Sequence, residues 1–123
     1  MSESIDPAFQ IMIAIDACDQ GRYSEARTML EGLPMVIVRT RDAGVHFGHL
    51  AYIANAQHGA YRVVLKNARR IWSWSGANTL NEIALRGPGG GKISEPTLAI
   101  IPQVIEVLPC TSASEQKLNS MKW

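Results

Sequence analysis

The feature that most limits the fold is a change of period at residue 34. Before it, apolar residues recur three and four apart; after it, they alternate. A helical stripe cannot line one face of a strand, and a two-residue alternation cannot line one face of a helix, so the two parts must form different elements. Residues 1–34 predict two helices. Asp6 followed by Pro7 is an N-cap with proline at the first helical position, and Phe9, Met12, Ile13, Asp16 and Ala17 continue one face until Gly21. Tyr23, Ala26, Met29, Leu30 and Leu33 form the stripe of the second helix, opened near Ser24 and stopped by Gly32, Leu33 and Pro34. The stretch from Gly21 to Ala26 echoes a tetratricopeptide helix pair, but no second copy follows to build a solenoid.

Beyond residue 34 the pattern is that of strands. Residues 35–41 are rich in β-branched side chains, Asp42, Ala43 and Gly44 make a turn, and residues 45–55 supply the hairpin partner. Gln57, His58 and Gly59 form a second turn before a third strand over 61–66; Asn67 and Ala68 bend the chain ahead of residues 69–75. A short helix is expected near residues 77–86, capped by Asn78 or Thr79 and stopped by Gly87, and residues 88–91 predict a flexible loop. Residues 97–109 read as one or two strands interrupted at Pro102, because proline cannot donate to a ladder. The tail predicts a short helix docking through Leu118, Met121 and Trp123. The class expected is α+β: a small antiparallel β-sheet core over 35–123 preceded by an N-terminal helical hairpin over 1–34, in a single domain overall.

A chain of 123 residues can bury about two thirds of its unfolded surface, so neither metal nor disulfide is needed for stability. Cys18 and Cys110 are accordingly expected as reduced, buried thiols. No apolar run approaches the ~18 residues of a membrane span, and the first residues lack the basic and apolar regions of a signal peptide, so a cytoplasmic protein without membrane partners is expected. The net charge of +1 argues against a duplex-DNA binder. It also hides a partition. Residues 1–34 carry −4, from six carboxylates against Arg22 and Arg27. Residues 35–92 carry +6: Arg39, Arg41, Arg62, Lys66, Arg69, Arg70, Arg86 and Lys92 face only Asp42 and Glu82, and the remainder carries −1. A segment this basic directs attention to an anionic ligand.

No catalytic set emerges. His46 and His49 lie three apart, on opposite faces of a strand, and His58 sits in a turn, so no metal site is expected. The run from Gly87 to Ser94 looks like a phosphate loop, yet Ile93 breaks the required Gly-Lys-Ser/Thr ending and a strand follows where a helix should open. Its glycines still let backbone N–H groups approach an anion, with Lys92 adding charge; the alternative is a hairpin loop without ligand. Glu82 is a lone carboxylate on a short helix and is not assigned as a base. Binding without turnover, and without cofactor, is the expectation. The most informative stretch is Arg69 to Ser75. On a strand Arg70, Trp72 and Trp74 share one face, joining a guanidinium to two indoles, while Arg69, Ile71 and Ser73 share the other. Stacking plus charge is what a nucleobase with a phosphate asks for. The competing reading makes the tryptophans, Trp72 above all, core residues.

The string Asn67-Ala68-Arg69-Arg70-Ile71-Trp72-Ser73-Trp74-Ser75-Gly76-Ala77-Asn78, continuing to Gly87, resembles small phage-encoded anti-defence proteins of the Thoeris type, sponges that sequester cyclic ADP-ribose signals. Val38-Arg39-Thr40, Ala43-Gly44-Val45, the strand end from Ile105 to Thr111 and the close on Lys122-Trp123 support it. The resemblance spans most of residues 35–123. It implies a non-enzymatic homo-oligomer, a dimer or a hexamer, that encloses the cyclic nucleotide between subunits and blocks TIR-dependent immunity. Some relatives of that kind also hold cyclic di- or trinucleotides at a second site. It places ligand-facing residues in Trp72 to Asn78, near Ile83 and in the loop before Ser94, where this chain has Pro-Gly-Gly-Gly-Lys instead of an expected asparagine. Together with the basic segment, the ligand-binding set expected is Arg39, Arg69, Arg70, Trp72, Trp74, Asn78, Asn81, Ile83, Arg86, Gly91, Lys92 and Thr111. Asn78 or Asn81 would read an adenine edge, and the −4 hairpin would dock on a neighbour's +6 segment. Two other functions fit the same residues: a single-stranded nucleic-acid binder using the Arg-Trp face, and a structural phage protein whose sheet and hairpin are packing surfaces.

Overall fold

A computed structural model describes residues 6–122. The expected docking of Trp123 therefore lies outside the described residues. The fold is α+β: four helices and an antiparallel five-stranded sheet, with the helical hairpin ahead of the sheet.

The hairpin forms for local reasons. Helix α1, Pro7–Asp19, starts where the Asp6 carboxylate accepts the Ala8 N–H at 3.0 Å. Helix α2, Tyr23–Glu31, has no side-chain cap; Arg22 at its start instead pairs with Asp16 of α1 at 3.0 Å and with Glu25 of α2, tying the two helices together. The face of α1 that packs is not the expected one. Ile11, Ala14, Ile15 and Cys18 are buried, and of the expected stripe Ala17 is buried as well, whereas Phe9 and Met12 are 66% and 60% exposed. The helix is apolar nearly all round, so sequence spacing offered two stripes, and the sheet took the one offset by two residues. Ile11, Ile15, Leu30 and Leu33 share one core with Leu50, Ile53, Val63 and Leu65 of the sheet.

The strands are β1 (Val36–Thr40), β2 (Val45–Asn55), β3 (Tyr61–Ser75), β4 (Gly90–Ile93) and β5 (Thr97–Pro109). β1 pairs with β2 and β5, and β3 also pairs with β2 and β5, so these four close into a ring, with β4 extending β3 beyond it. Two bends make closure possible. In β3, Asn67 and Ala68 occupy the space opposite the single residue Gly48, and Asn67 adopts φ +52. A Cβ at Gly48 would sit 2.8 Å from the Lys66 carbonyl oxygen, which is why the position needs glycine. In β5, the bulge falls at Pro102 and Gln103, where Gln103 has φ +58; beyond it Val104 pairs with both Tyr61 of β3 and Thr40 of β1. Residues 61–75 and 97–109 are thus each a single bulged strand.

The other face of the sheet carries the C-terminal helices. Thr79 caps α3 (Leu80–Arg86) by accepting the Glu82 N–H at 3.2 Å, and Thr111 caps α4 (Ser112–Ser120) by accepting the Ser114 N–H at 3.2 Å. Ile83, Ala84 and Leu118 close a second core over Met35, Ile37, Phe47 and Ile71. β1 is buried from both sides as a result. Half of the loop expected over 88–91 is strand: Gly90 and Gly91 pair with Ser75 and Trp74, while Pro88 and Gly89 remain outside β4. Gly91 sits so close to the Ser73 carbonyl that any side chain there would collide with it. Cys18 and Cys110 are both buried and free. No helix among the described residues is long and apolar enough to cross a membrane.

Candidate functional site

The site expected from the sequence centres on the end of β3, and a bulge rearranges it. Ile71 pairs with Ile93 and Ser73 with Lys92, so one residue, Trp72, lies between these pairs on β3 where β4 has none. The alternation therefore breaks at Trp72. Trp74 turns to the side of Ile71 and packs against the second core with Ile83, while Trp72 stays 56% exposed. The expected grouping of Arg70, Trp72 and Trp74 on one face is corrected to Arg70 and Trp72, and Trp72 is no core residue.

Arg70 is exposed, and its place is fixed by backbone. Its N–H donates to Ser94 Oγ at 2.8 Å, its carbonyl accepts the Ser94 N–H at 2.9 Å, and its guanidinium lies against Gly44. Opposite it on β2 is His46, whose pKa is held below the ordinary 6.5 by burial first and by the Arg70 charge second. The buried His46 Nδ1 has no partner among the described residues. Arg70 thus neighbours a neutral ring rather than a second cation. Lys92, also exposed, lies across from Ser73 on β4. Arg70, Trp72 and Lys92 are the members of the expected set that the two strands bring together.

Most of the others hold the fold. Arg39 pairs with Glu106 at 3.1 Å, and Arg86 reaches Glu82 on its own helix at 3.8 Å. Arg69 is half-buried and donates to the Met121 carbonyl at 3.2 Å, anchoring the chain end. Ile83 is fully buried, so a ligand cannot reach it. The Thr111 hydroxyl donates to the Leu85 carbonyl at 2.6 Å while capping α4, and Gly91 contributes backbone to the ladder. Asn78, just before α3, and Asn81, in its first turn, are exposed.

Concavity lies elsewhere. A cleft of about 580 Å³ between α2 and the sheet is lined by Arg27, Glu31, His49 and Lys66, and an apolar groove of about 250 Å³ runs between Met12 of α1 and Ile105 of β5. A cleft of about 410 Å³ opens between Arg41, Arg62, His58 and Gln103, and one of about 180 Å³ beside Asn67 and Arg69. Arg69 alone of the expected set lines any of the four. Arg41 and Arg62 were counted in the basic segment, but the turn and bulge that gather them depend on positive φ at His58 and Gln103, which non-glycine sequence does not announce. The described residues contain no group of three metal-ligating side chains. Burial pushes the Cys110 thiol up to about 11, which leaves it protonated and unreactive at neutral pH.

The family model that matches this chain is DUF6948, described as a domain of unknown function, over residues 33–118. The chain belongs to that family. No curated protein and no solved structure matches it. The DUF6948 match starts where the hairpin ends, so the ring of strands, β4, α3 and nearly all of α4 lie within it, and α1 and α2 precede it. Every residue of the expected binding set falls inside the DUF6948 region.

Proposed function

We propose that this protein binds, without turning over, a small phosphorylated nucleotide of the cyclic ADP-ribose class and holds it between subunits. It would act in a bacterial cytoplasm as a sponge that denies the signal to a TIR-dependent immune effector. The observation that carries this reading is Trp72: a tryptophan 56% exposed on a strand bulge, with Arg70 two residues away on its face and Lys92 on the adjoining strand. Exposing an indole forfeits roughly 1.5–3 kcal/mol of burial, whereas stacking a base on it returns about 1–3 kcal/mol. The flanking cations match phosphate charge.

The flatness of this surface argues for an oligomer. Tight small-molecule sites bury most of the ligand, and none of the four clefts is lined by Trp72, Arg70 or Lys92. One subunit offers a plane, so slow release requires a second copy as the cover. The resemblance of Asn67–Gly87 to Thoeris sponges points to the same nucleotide class.

The test is retention. Purified protein is incubated with cyclic ADP-ribose isomers and with cyclic di- and trinucleotides, stripped of free ligand, heat-denatured, and assayed for what it releases. Intact cyclic ADP-ribose from the wild type, with little from Trp72→Ala or Arg70→Ala, is the expected result. Empty protein, equal retention by both variants, or a cleaved product refutes the proposal. Affinity that instead grows with oligonucleotide length would assign the same surface to single-stranded nucleic acid.

A further inference from the structure

We infer that the protein has a second anion site, separate from Trp72, at the end of the barrel where β3 begins and β5 bulges, and that it takes a small molecule bearing a diphosphate. The turn Gln57–Gly59 and the Pro102–Gln103 bulge meet there around the cleft of about 410 Å³, whose lining includes Arg41, Asn55, His58, Arg62 and Gln103 but no carboxylate. That volume suits a nucleotide-sized ligand.

Three observations converge on an anion. First, neither Arg41 nor Arg62 makes a side-chain hydrogen bond or ion pair among the described residues, in contrast with Arg22, Arg39 and Arg86, which all have carboxylate partners. Two guanidiniums lining one cleft repel each other, and a diphosphate relieves that repulsion while accepting paired N–H bonds from each. Second, the carboxylate bonded to the cleft's own lining is engaged. Asp19 accepts from the Asn55 backbone N–H at 3.1 Å and from Asn55 Nδ2 at 2.5 Å, which turns its carboxylate toward Asn55. Third, the cleft collects two of the three non-glycine residues with positive φ among those described, His58 at +60 and Gln103 at +58. Such residues cost free energy, and they concentrate where structure serves a ligand. The polar side chains of His58 and Gln103 add donors for phosphate or sugar oxygens.

The site is distinct from the proposed stacking surface. Arg62 and Trp72 are ten residues apart on β3, a span of up to about 33 Å in extended chain, so one small ligand cannot occupy both. The two also fail separately.

Pyrophosphate and inorganic phosphate are titrated into the full chain while backbone amide NMR shifts are followed. Saturable shifts at Arg41, His58 and Gln103, with pyrophosphate binding more tightly than phosphate, are expected. Arg41→Gln and Arg62→Gln should each weaken pyrophosphate about tenfold or more, with thermal unfolding that holds or rises, because neither side chain has a partner to lose and their mutual repulsion is removed. Trp72→Ala should bind pyrophosphate as the wild type does. No saturable shift at millimolar pyrophosphate, or equal affinity in Arg62→Gln, overturns the inference. Loss of cyclic ADP-ribose retention in Trp72→Ala with pyrophosphate binding intact would confirm that the sites are independent; loss of both would overturn their separation.

Discussion

Gly48→Ala tests the bend on which closure of the barrel depends. At this point β2 supplies one residue, Gly48, between the pairs Phe47–Arg69 and His49–Lys66, while β3 supplies Asn67 and Ala68. The bulged backbone presses against Gly48: a new Cβ would lie 2.8 Å from the Lys66 oxygen, 3.1 Å from Ala68 Cα and 3.3 Å from the Asn67 oxygen. All three are backbone atoms, so no rotamer change makes room, and the ladder between β2 and β3 must open. Inserting one carbon into a packed site of this kind costs about 1–3 kcal/mol. For a chain of this length 1 kcal/mol moves Tm by roughly 3–6 °C, so a fall of about 3–18 °C is expected, measured by circular dichroism on heating and by urea midpoint at constant m-value. Gly32→Ala is the internal control. Gly32 has φ −83 and ψ −1, and the nearest heavy atom to a Cβ there is Gln10 Nε2 at 3.6 Å, so stability should hold or rise by about 0.4–1 kcal/mol. A Gly48→Ala variant within about 0.5 kcal/mol of wild type would show that the strands do not approach so closely and that the Asn67 bulge is misplaced. Equal losses in both variants would trace the effect to glycine replacement in general rather than to the contact.

Two further outcomes follow from the second core and its edge. Leu118 is fully buried under α3 and α4, so Leu118→Ala should cost about 2–5 kcal/mol in urea unfolding; a loss under about 1 kcal/mol would mean that α4 does not seal that core. The folded-state pKa of His46 lies below 6.5, so its contribution to stability is fully present above pH 6.5 and is lost as pH falls through the folded value. Urea midpoints from pH 7.5 to 5 should therefore decline more steeply in wild type than in His46→Asn; parallel slopes would show that the ring is not desolvated.

Element identities were legible because they rest on local chemistry. Asp6-Pro7 fixes the start of α1, and the β-branched run in Val36–Thr40 defines β1. Two of the places where the period slips were legible, at Asn67-Ala68 and at Pro102, but the third was not. Trp72 looks like any strand residue, yet it sits at a bulge, and the slip moves the following side chains to the other face. This is why Trp72 and Trp74, two apart, part company, one to solvent and one to the core with Ile83. The same blindness affected α1, where apolar residues on both sides left the buried stripe to be chosen by the barrel surface rather than by spacing.

The charge partition also acquires a physical meaning that composition could not give it. A net +6 over residues 35–92 does not say which cations are free. Folding pairs Arg39 with Glu106 from β5, pairs Arg86 with Glu82 along α3, and sends Arg69 to the carbonyl of Met121. Arg41 and Arg62 at one end of β3, and Arg70 and Lys92 near the other, keep no carboxylate within ion-pair distance among the described residues. The field outside the molecule is set by these leftover cations. Arg62 and Arg70 are eight residues apart on β3, and Lys66 between them lines the cleft that also holds the Glu31 carboxylate, so the protein presents two local cationic surfaces rather than a continuous basic face. A duplex backbone needs a continuous track of phosphate contacts, whereas two compact cationic surfaces suit two compact anions.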